Sequence, residues 1–212
     1  MKGNETELVI AIPKGFLHEG SYKYLATLGI NFYSVNSKDN GRELVYFDKK
    51  NKIKCLLVRP NDVSVYVENG SADIGIVGLD LVKEQVPDVI KLKDLKFGKC
   101  KLVLAVKKQS PYKTISDLPA NCKIATKFTR LANDFIHKKG ISAEVIKLYG
   151  SVELAPIVGL TDAIVDLVAT GRTLKANNLV QIETILESTA ILIANPVSYK
   201  FKRFKIAVSF KL

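Results

Sequence analysis

Asp166, Thr170, Gly171, Arg172 and Thr173 crowd into one short stretch, Asp162-Ala-Ile-Val-Asp166-Leu-Val-Ala169-Thr170-Gly171-Arg172-Thr173-Leu174. An apolar, strand-like run (Ala163, Ile164, Val165, Leu167, Val168) carries a carboxylate near its end and breaks into a small hydroxyl-bearing loop around one glycine. In such a loop several backbone N–H groups can converge on a phosphate, and threonine hydroxyls add donors. Gly171 would supply the positive φ and close ligand approach that the turn needs. The preceding carboxylate could hold ribose hydroxyls or a metal, so the pair describes a phosphorylated-sugar site. The competing reading is an ordinary strand-to-helix turn with Thr170 or Thr173 as N-cap.

Those residues need a frame, and the flanking text supplies one. Leu8-Val-Ile-Ala-Ile12 is a short apolar strand ended by Pro13-Lys14-Gly15, and Leu17, Tyr24, Leu25 and Leu28 then share a helix face that Gly29 closes. A Lys-Gly turn between strand and helix is a second anion site in outline. A strand is expected from Asn31 to Val35. Glu43–Phe47 and Ile53–Val58 flank Asp48-Lys-Lys-Asn51 as a hairpin, with Arg42 and Arg59 at its two open ends. Antiparallel pairing brings those guanidiniums to one sheet edge, where forked hydrogen bonds suit a di- or triphosphate. Two solvated surface arginines are the plainer alternative.

Asn61 or Asp62 is placed to cap a helix ending at Gly70, Asp73–Gly78 returns as a buried strand, and Asp80 can cap a short helix. The charged run Lys91–Lys99 separates this series from a second one. That series has strands at 102–106, 123–126 and 143–148, and a helix carrying Leu131, Phe135 and Ile136. A further helix is expected to open with Ser151 as N-cap and Glu153 in its first turn. Strands at 180–186 and 190–194 follow, the last expected to return to the first sheet. The order indicates an α/β protein of two lobes: domain I over 1–96 completed by 185–212, and domain II over 97–184.

With 47% hydrophobic and 25% charged residues the composition is that of a globular protein, and no apolar run approaches the roughly 18 residues of a membrane span. The polar N-terminus matches no secretory or transit signal, so a cytoplasmic location is expected. Cys55, Cys100 and Cys122 are widely spaced in or beside strand-like segments, which favours buried thiols over zinc. The net charge of +11 admits a nucleic-acid binder or an enzyme for polyanionic small molecules. The lysines are spread along the chain, which favours the small molecules. Lys200, Lys202, Arg203 and Lys205 do cluster, interleaved with Tyr199, Phe201 and Phe204, as expected for a tail helix docked by its aromatics.

Several segments, in order, carry a family resemblance: Pro13-Lys-Gly15, Arg59 with Asp62, Gly70-Ser-Ala-Asp-Ile-Gly-Ile-Val-Gly78, Cys100-Lys-Leu-Val, Ile124-Ala-Thr-Lys127, Tyr149-Gly-Ser-Val-Glu-Leu-Ala-Pro156 and Gly159–Leu174. Over essentially its whole length the chain resembles the short-form catalytic subunit of ATP phosphoribosyltransferase, the first enzyme of histidine biosynthesis. The resemblance implies a two-lobed fold like that of periplasmic binding proteins, with the active site in the inter-lobe cleft. It implies transfer of 5-phosphoribosyl from phosphoribosyl pyrophosphate to N1 of ATP, with Mg²⁺ carried by the phosphorylated substrates and no protein metal site. It also implies a catalytic homodimer within a hetero-octamer, beside a regulatory subunit resembling histidyl-tRNA synthetase, because members of this length lack the C-terminal histidine-binding domain. Neither nucleic acid nor membrane is an expected partner.

By motif position, Ala169, Thr170, Gly171, Arg172 and Thr173 should cradle the 5′-phosphate, with Asp166, and less strongly Glu153, at the ribose. Lys14, Arg42 and Arg59 are the catalytic candidates at pyrophosphate and triphosphate. Asp80, Cys100 and Lys101 join those three cations on the ATP side. Adenine N1 has its own lone pair, so no general base is needed, and His18 and His137 are read as surface residues. One position departs from the pattern: the family usually reads Lys-Gly-Arg after the first strand, and here the third residue is Phe16. A phenyl ring donates no hydrogen bond to a leaving pyrophosphate. Either Lys14, Arg42 or a nearby lysine compensates, or turnover is slow, or the partner subunit matters more. Two other classes remain as competitors. A solute-binding protein of the same architecture would need a signal peptide, and an RNA-binding module would rest on charge alone.

Overall fold

The computed structural model describes residues 8–32 and 43–212. The backbone divides into two compact units. Unit 1 takes the described residues up to Val82, then Val86–Gly98 and Thr189–Leu212; unit 2 takes Lys83–Gln85 and Lys99–Ser188.

Unit 1 is built on a six-stranded sheet. Its strands are β1 (Leu8–Pro13), β2 (Val45–Asp48), β3 (Ile53–Val58), β4 (Ile74–Gly78), β5 (Ile90–Asp94) and β11 (Ala190–Ala194), in the order β2-β3-β1-β4-β11-β5. β1, β4 and β11 are almost uninterrupted apolar runs, and they occupy the middle of the sheet because both their faces are covered. β3 and β4 run parallel to β1, whereas β2 pairs antiparallel to β3, with Val45 opposite Leu56 and Asp48 opposite Ile53. The expected hairpin is therefore present. Its tip is fastened by Asp48, whose carboxylate accepts hydrogen bonds from the backbone of Asn31 and Asn51 and from the Asn51 amide. Burial pushes this carboxyl up, but those bonds outweigh it and hold it below the usual range.

On one sheet face Ile10, Ile12, Ile74, Ile76 and Leu192 pack with Leu25 of α1 (His18–Thr27) and with Ile206 and Phe210 of α7 (Pro196–Phe210). On the other, Ala11, Val77, Ile191 and Ile193 meet Val63 and Val67 of α2 (Val63–Glu68). α3 (Leu79–Gln85) follows β4.

The return of Ala190–Ala194 to the first sheet is observed, deep inside it, antiparallel to both β4 and β5. β5 itself lies in the run read from sequence as a charged connection. Ile90-Lys-Leu-Lys-Asp alternates half-buried with exposed positions, the pattern of an edge strand whose outer face is solvated. The tail helix docks differently from expectation. Tyr199, Ile206 and Phe210 reach the core, while Phe201 and Phe204 stand 79% and 84% exposed. Asp73 fixes this arrangement: its buried carboxylate accepts from the Val9 amide at 2.8 Å and takes the Lys202 ammonium at 2.8 Å on each oxygen. The strand expected from Asn31 to Val35 has no strand geometry at Asn31 and Phe32, and the rest of it lies outside the described residues.

Unit 2 has a five-stranded sheet ordered β10-β6-β9-β7-β8. The strands are β6 (Cys100–Lys107), β7 (Cys122–Thr126), β8 (Ala143–Lys147), β9 (Ala163–Val168) and β10 (Leu179–Ser188). β9 is parallel to β7 and antiparallel to β6, so the three buried strands run side by side. Val103, Ala105, Ala125 and Ile164 form a core with Val152, Ala155 of α5 (Leu154–Ile157) and Leu174 of α6 (Arg172–Ala176). α4 (Thr129–Lys139) buries Ala132, Phe135 and Ile136, and its first turn is closed by Glu84, whose carboxylate accepts from the amides of Arg130 and Leu131, each at 2.9 Å.

Among the described residues, no helix is long and apolar enough to cross a membrane.

Candidate active site

β9 ends in the residues singled out from sequence, and the chain turns there without a side-chain cap. The N-cap of α6 is Gly171, at φ 74°, and no side-chain cap hydrogen bond forms. Thr170 instead accepts from the Arg172 Nε at 3.3 Å, and its own hydroxyl proton remains available to donate. The capped-turn reading of Thr170 and Thr173 is thus not what the structure adopts. Ala169, Thr170, Arg172 and Thr173 are all exposed. A cavity of about 210 Å³ opens over this loop, lined by Glu153, Asp166, Ala169, Thr170, Gly171, Arg172 and Thr173, with Leu167, Val168 and Leu174 completing it. Every residue assigned from sequence to the phosphoribosyl group therefore borders one hollow.

Asp166 lies half-buried in β9, and burial pushes its carboxyl above the ordinary range. The negative charge of Glu153 pushes the same way; a hydrogen bond from the Leu167 amide and the positive charge of Lys127 oppose it. In the sequence Lys127 stands out only as the end of Ile124-Ala-Thr-Lys127, yet it is the cation that acts on this carboxylate. Nothing in its local sequence marks it, because β7 and β9 become neighbours only when the sheet forms. Glu153 is the N-cap residue of the short α5 and makes no capping bond; Ser151, expected in that role, sits at φ 47° before the helix. The strand-to-helix link at 148–153 thus leaves Glu153 free to face the cavity.

A larger hollow of about 570 Å³ lies among Lys107, Tyr112, Lys123 and Asp162. It is at the opposite end of β9, where Asp162 is engaged with the Lys123 backbone. Ligands of open α/β sheets bind outside the carboxyl ends of the strands, which favours the smaller hollow.

In unit 1, Lys14 and Arg59 follow the adjacent, parallel ends of β1 and β3. The Lys14 amide donates to the Val58 carbonyl at 2.8 Å, and both side chains are exposed. Gly15 takes φ 78° and Phe16 is 65% exposed. Arg42 lies outside the described residues. Asp80 is buried in the first turn of α3. In unit 2, Cys100 is half-buried at the start of β6, and the Lys101 ammonium is 3.0 Å from Glu187 across the β6–β10 ladder. Cys55 and Cys122 are buried, and burial pushes the Cys55 thiol up to about 12, so it is an inert packing residue. His137 is exposed as expected, whereas His18 is half-buried with its ring edge against Tyr22, 4.8 Å between centroids. Among the described residues, no three His, Cys, Asp or Glu side chains gather as a metal site.

A family model described as ATP phosphoribosyltransferase (HisG) matches residues 59–211. The chain belongs to the ATP phosphoribosyltransferase family. It is accordingly a phosphoribosyl-transferring enzyme of the glycosyltransferase class. It is 49% identical over 193 residues to the ATP phosphoribosyltransferase of Synechococcus elongatus, covering 91% of this chain and 88% of that one. Identity is 50% to the enzyme of Thermosynechococcus vestitus, over 91% of each chain. Among solved structures, a chain of the ATP phosphoribosyl transferase (HisG:HisZ) complex from Thermotoga maritima superposes with a TM-score of 0.81 at 37% identity, covering 96% of this chain and 94% of that one. The periplasmic aliphatic sulphonate binding protein SsuA of Escherichia coli superposes at 0.57 with 16% identity, over 96% of this chain and 67% of that one, which shows the shared periplasmic-binding-protein-like fold alone.

Proposed function

We propose that the chain transfers the 5-phosphoribosyl group of phosphoribosyl pyrophosphate to N1 of ATP, opening histidine biosynthesis. The observation that carries this reading is the single cavity bordered by Glu153, Asp166 and the uncapped loop 169–173. The 5′-phosphate is held by loop amides and the hydroxyls of Thr170 and Thr173. Asp166, ionised, accepts the ribose hydroxyls, with Lys127 favouring its charge and Glu153 nearby. The N1–C1 bond forms as the bond from C1 to the pyrophosphate oxygen breaks. The electron pair leaves with pyrophosphate, and the adenine lone pair makes a general base unnecessary. Catalysis then consists of aligning N1 with C1 and stabilising the leaving charge, for which Lys14, Arg59 and Arg42 are the cationic groups. Asp80, Cys100 and Lys101 are assigned to ATP.

The donor set fits Mg²⁺ that arrives on substrate phosphates better than a resident ion, since two carboxylates, Asp166 and Glu153, border the cavity without a third ligand. The ion would offset phosphate charge. The likeness to a chain of the HisG:HisZ complex of Thermotoga maritima supports a second, partner chain. The proposal takes that chain to be of histidyl-tRNA-synthetase type, with homodimers of this chain inside a hetero-octamer. Pyrophosphate release that requires both ATP and phosphoribosyl pyrophosphate tests the reading. Release from phosphoribosyl pyrophosphate alone, or none with the second chain added, would refute it.

A further inference from the structure

α7 has two apolar faces, and the core uses one. Tyr199, Ile206 and Phe210 pack inward, and Lys202, where the backbone leaves helical dihedrals (φ −112°, ψ 15°), is tied to the buried Asp73. Asn195 anchors the start of the helix, accepting from the Ser198 amide and donating to the carbonyls of Val67 and Glu68. These fastenings fix which side faces outward. On that side stand Val197, Phe201, Phe204 and Val208, spaced four, three and four residues apart, each at least 63% exposed. A solvated helix normally carries polar residues there; alternating four- and three-residue apolar spacing is that of a seam that receives another helix. Two exposed phenylalanines at its centre are the residue type that anchors interfaces.

Charge selects the occupant. From Pro196 to Leu212 there are five cations, Lys200, Lys202, Arg203, Lys205 and Lys211, and no carboxylate. Lys202 is matched by Asp73; Lys200 and Arg203 remain exposed beside the two phenylalanines. Pairing of two copies about a two-fold axis would set this cationic rim against itself. A chain presenting an apolar ridge rimmed with Asp and Glu would meet complementary charge at every flank.

We infer that the outer face of α7, centred on Phe201 and Phe204, is the docking seam for a different, acid-rimmed protein chain. The inference rests on the two-chain reading above, with the histidyl-tRNA-synthetase-type chain as occupant.

The test is binding of this chain to that purified second chain, by size-exclusion chromatography and titration calorimetry, for the unmodified chain, Phe201→Glu/Phe204→Glu and Lys200→Glu/Arg203→Glu. All four positions are exposed, so melting temperatures should stay near the unmodified value. The phenylalanine pair should weaken the complex by about 30-fold or more. Charge reversal should weaken it with a smaller dependence on salt than the unmodified complex shows. Undiminished binding by both variants, with the unmodified chain binding, would overturn the seam alone. Failure of the unmodified chain to bind would overturn the two-chain reading and the seam with it. If the phenylalanine pair instead turned a dimer of the isolated chain into monomer, the seam would belong to a second copy and the inference would fall.

Discussion

Two turns in this molecule have the same outline. After β1 the chain runs Lys14-Gly15-Phe16, and after β9 it runs Thr170-Gly171-Arg172-Thr173; each follows the carboxyl end of a buried strand, and each depends on a glycine at positive φ. They differ in what surrounds them. The second lies in a cavity with two carboxylates, one of them held above its usual range by burial, and Thr170 and Thr173 are both exposed beside them. The first is open, with an exposed phenyl ring at the position following its glycine. A backbone turn is thus common property of strand-to-helix joints; ligand specificity comes from the side chains that neighbouring strands bring to it.

The largest effect is expected at the β9 turn. Thr173→Leu removes a charge-assisted donor worth about 1.5–3 kcal/mol and fills the cradle, so affinity for phosphoribosyl pyrophosphate should fall by roughly 10- to 150-fold with ATP affinity nearly unchanged. Comparable losses for both substrates in binding titrations would mean that this turn does not hold the sugar phosphate.

Asp166 sharpens the contrast through pH. The folded chain holds this proton more tightly than the unfolded chain does. The group therefore favours the fold at acid pH, and that contribution is lost as pH rises through the raised value. Asp166→Asn should accordingly raise the melting temperature at neutral pH, an advantage that shrinks on acidification, while weakening phosphoribosyl pyrophosphate by about tenfold or more. In the unmodified protein that affinity should begin to fall at a higher pH than an ordinary carboxylate would give. A variant that is destabilised at neutral pH would contradict the burial argument.

The smallest effect belongs to the β1 turn. Phe16→Arg restores a forked donor beside Lys14, and if leaving-group stabilisation is incomplete, kcat should rise by several-fold to about tenfold, with or without the second chain. An unchanged rate would show that Phe16 does not limit turnover.

Much of the β9 site was legible because its parts are contiguous: a buried strand, a carboxylate within it, a glycine and two hydroxyls in the loop beyond. The hairpin 45–58 was legible for the same reason, since apolar alternation and a polar tip are local. The unread parts are non-local. The β5 strand looked like a charged connection because Ile90-Lys-Leu-Lys-Asp pairs on one edge only, and that partner, β11, lies a hundred residues further on. Their spacing in the tail makes all three aromatics, Tyr199, Phe201 and Phe204, candidate anchors, yet Phe201 and Phe204 face outward because Lys202 is held by Asp73 across 129 residues of sequence.

The amino-acid sequence by itself determined the α/β class, the phosphate-type loop with its carboxylate, and the Phe16 departure, because each is written in residue types at short spacing. Tertiary structure decided the rest. It made Gly171 rather than a threonine the start of α6, put Lys127 in electrostatic reach of Asp166, and chose which face of α7 meets the core. Those outcomes depend on which strands become neighbours and on where one buried carboxylate finds its cation, and burial and pairing energies act only once the sheet has formed.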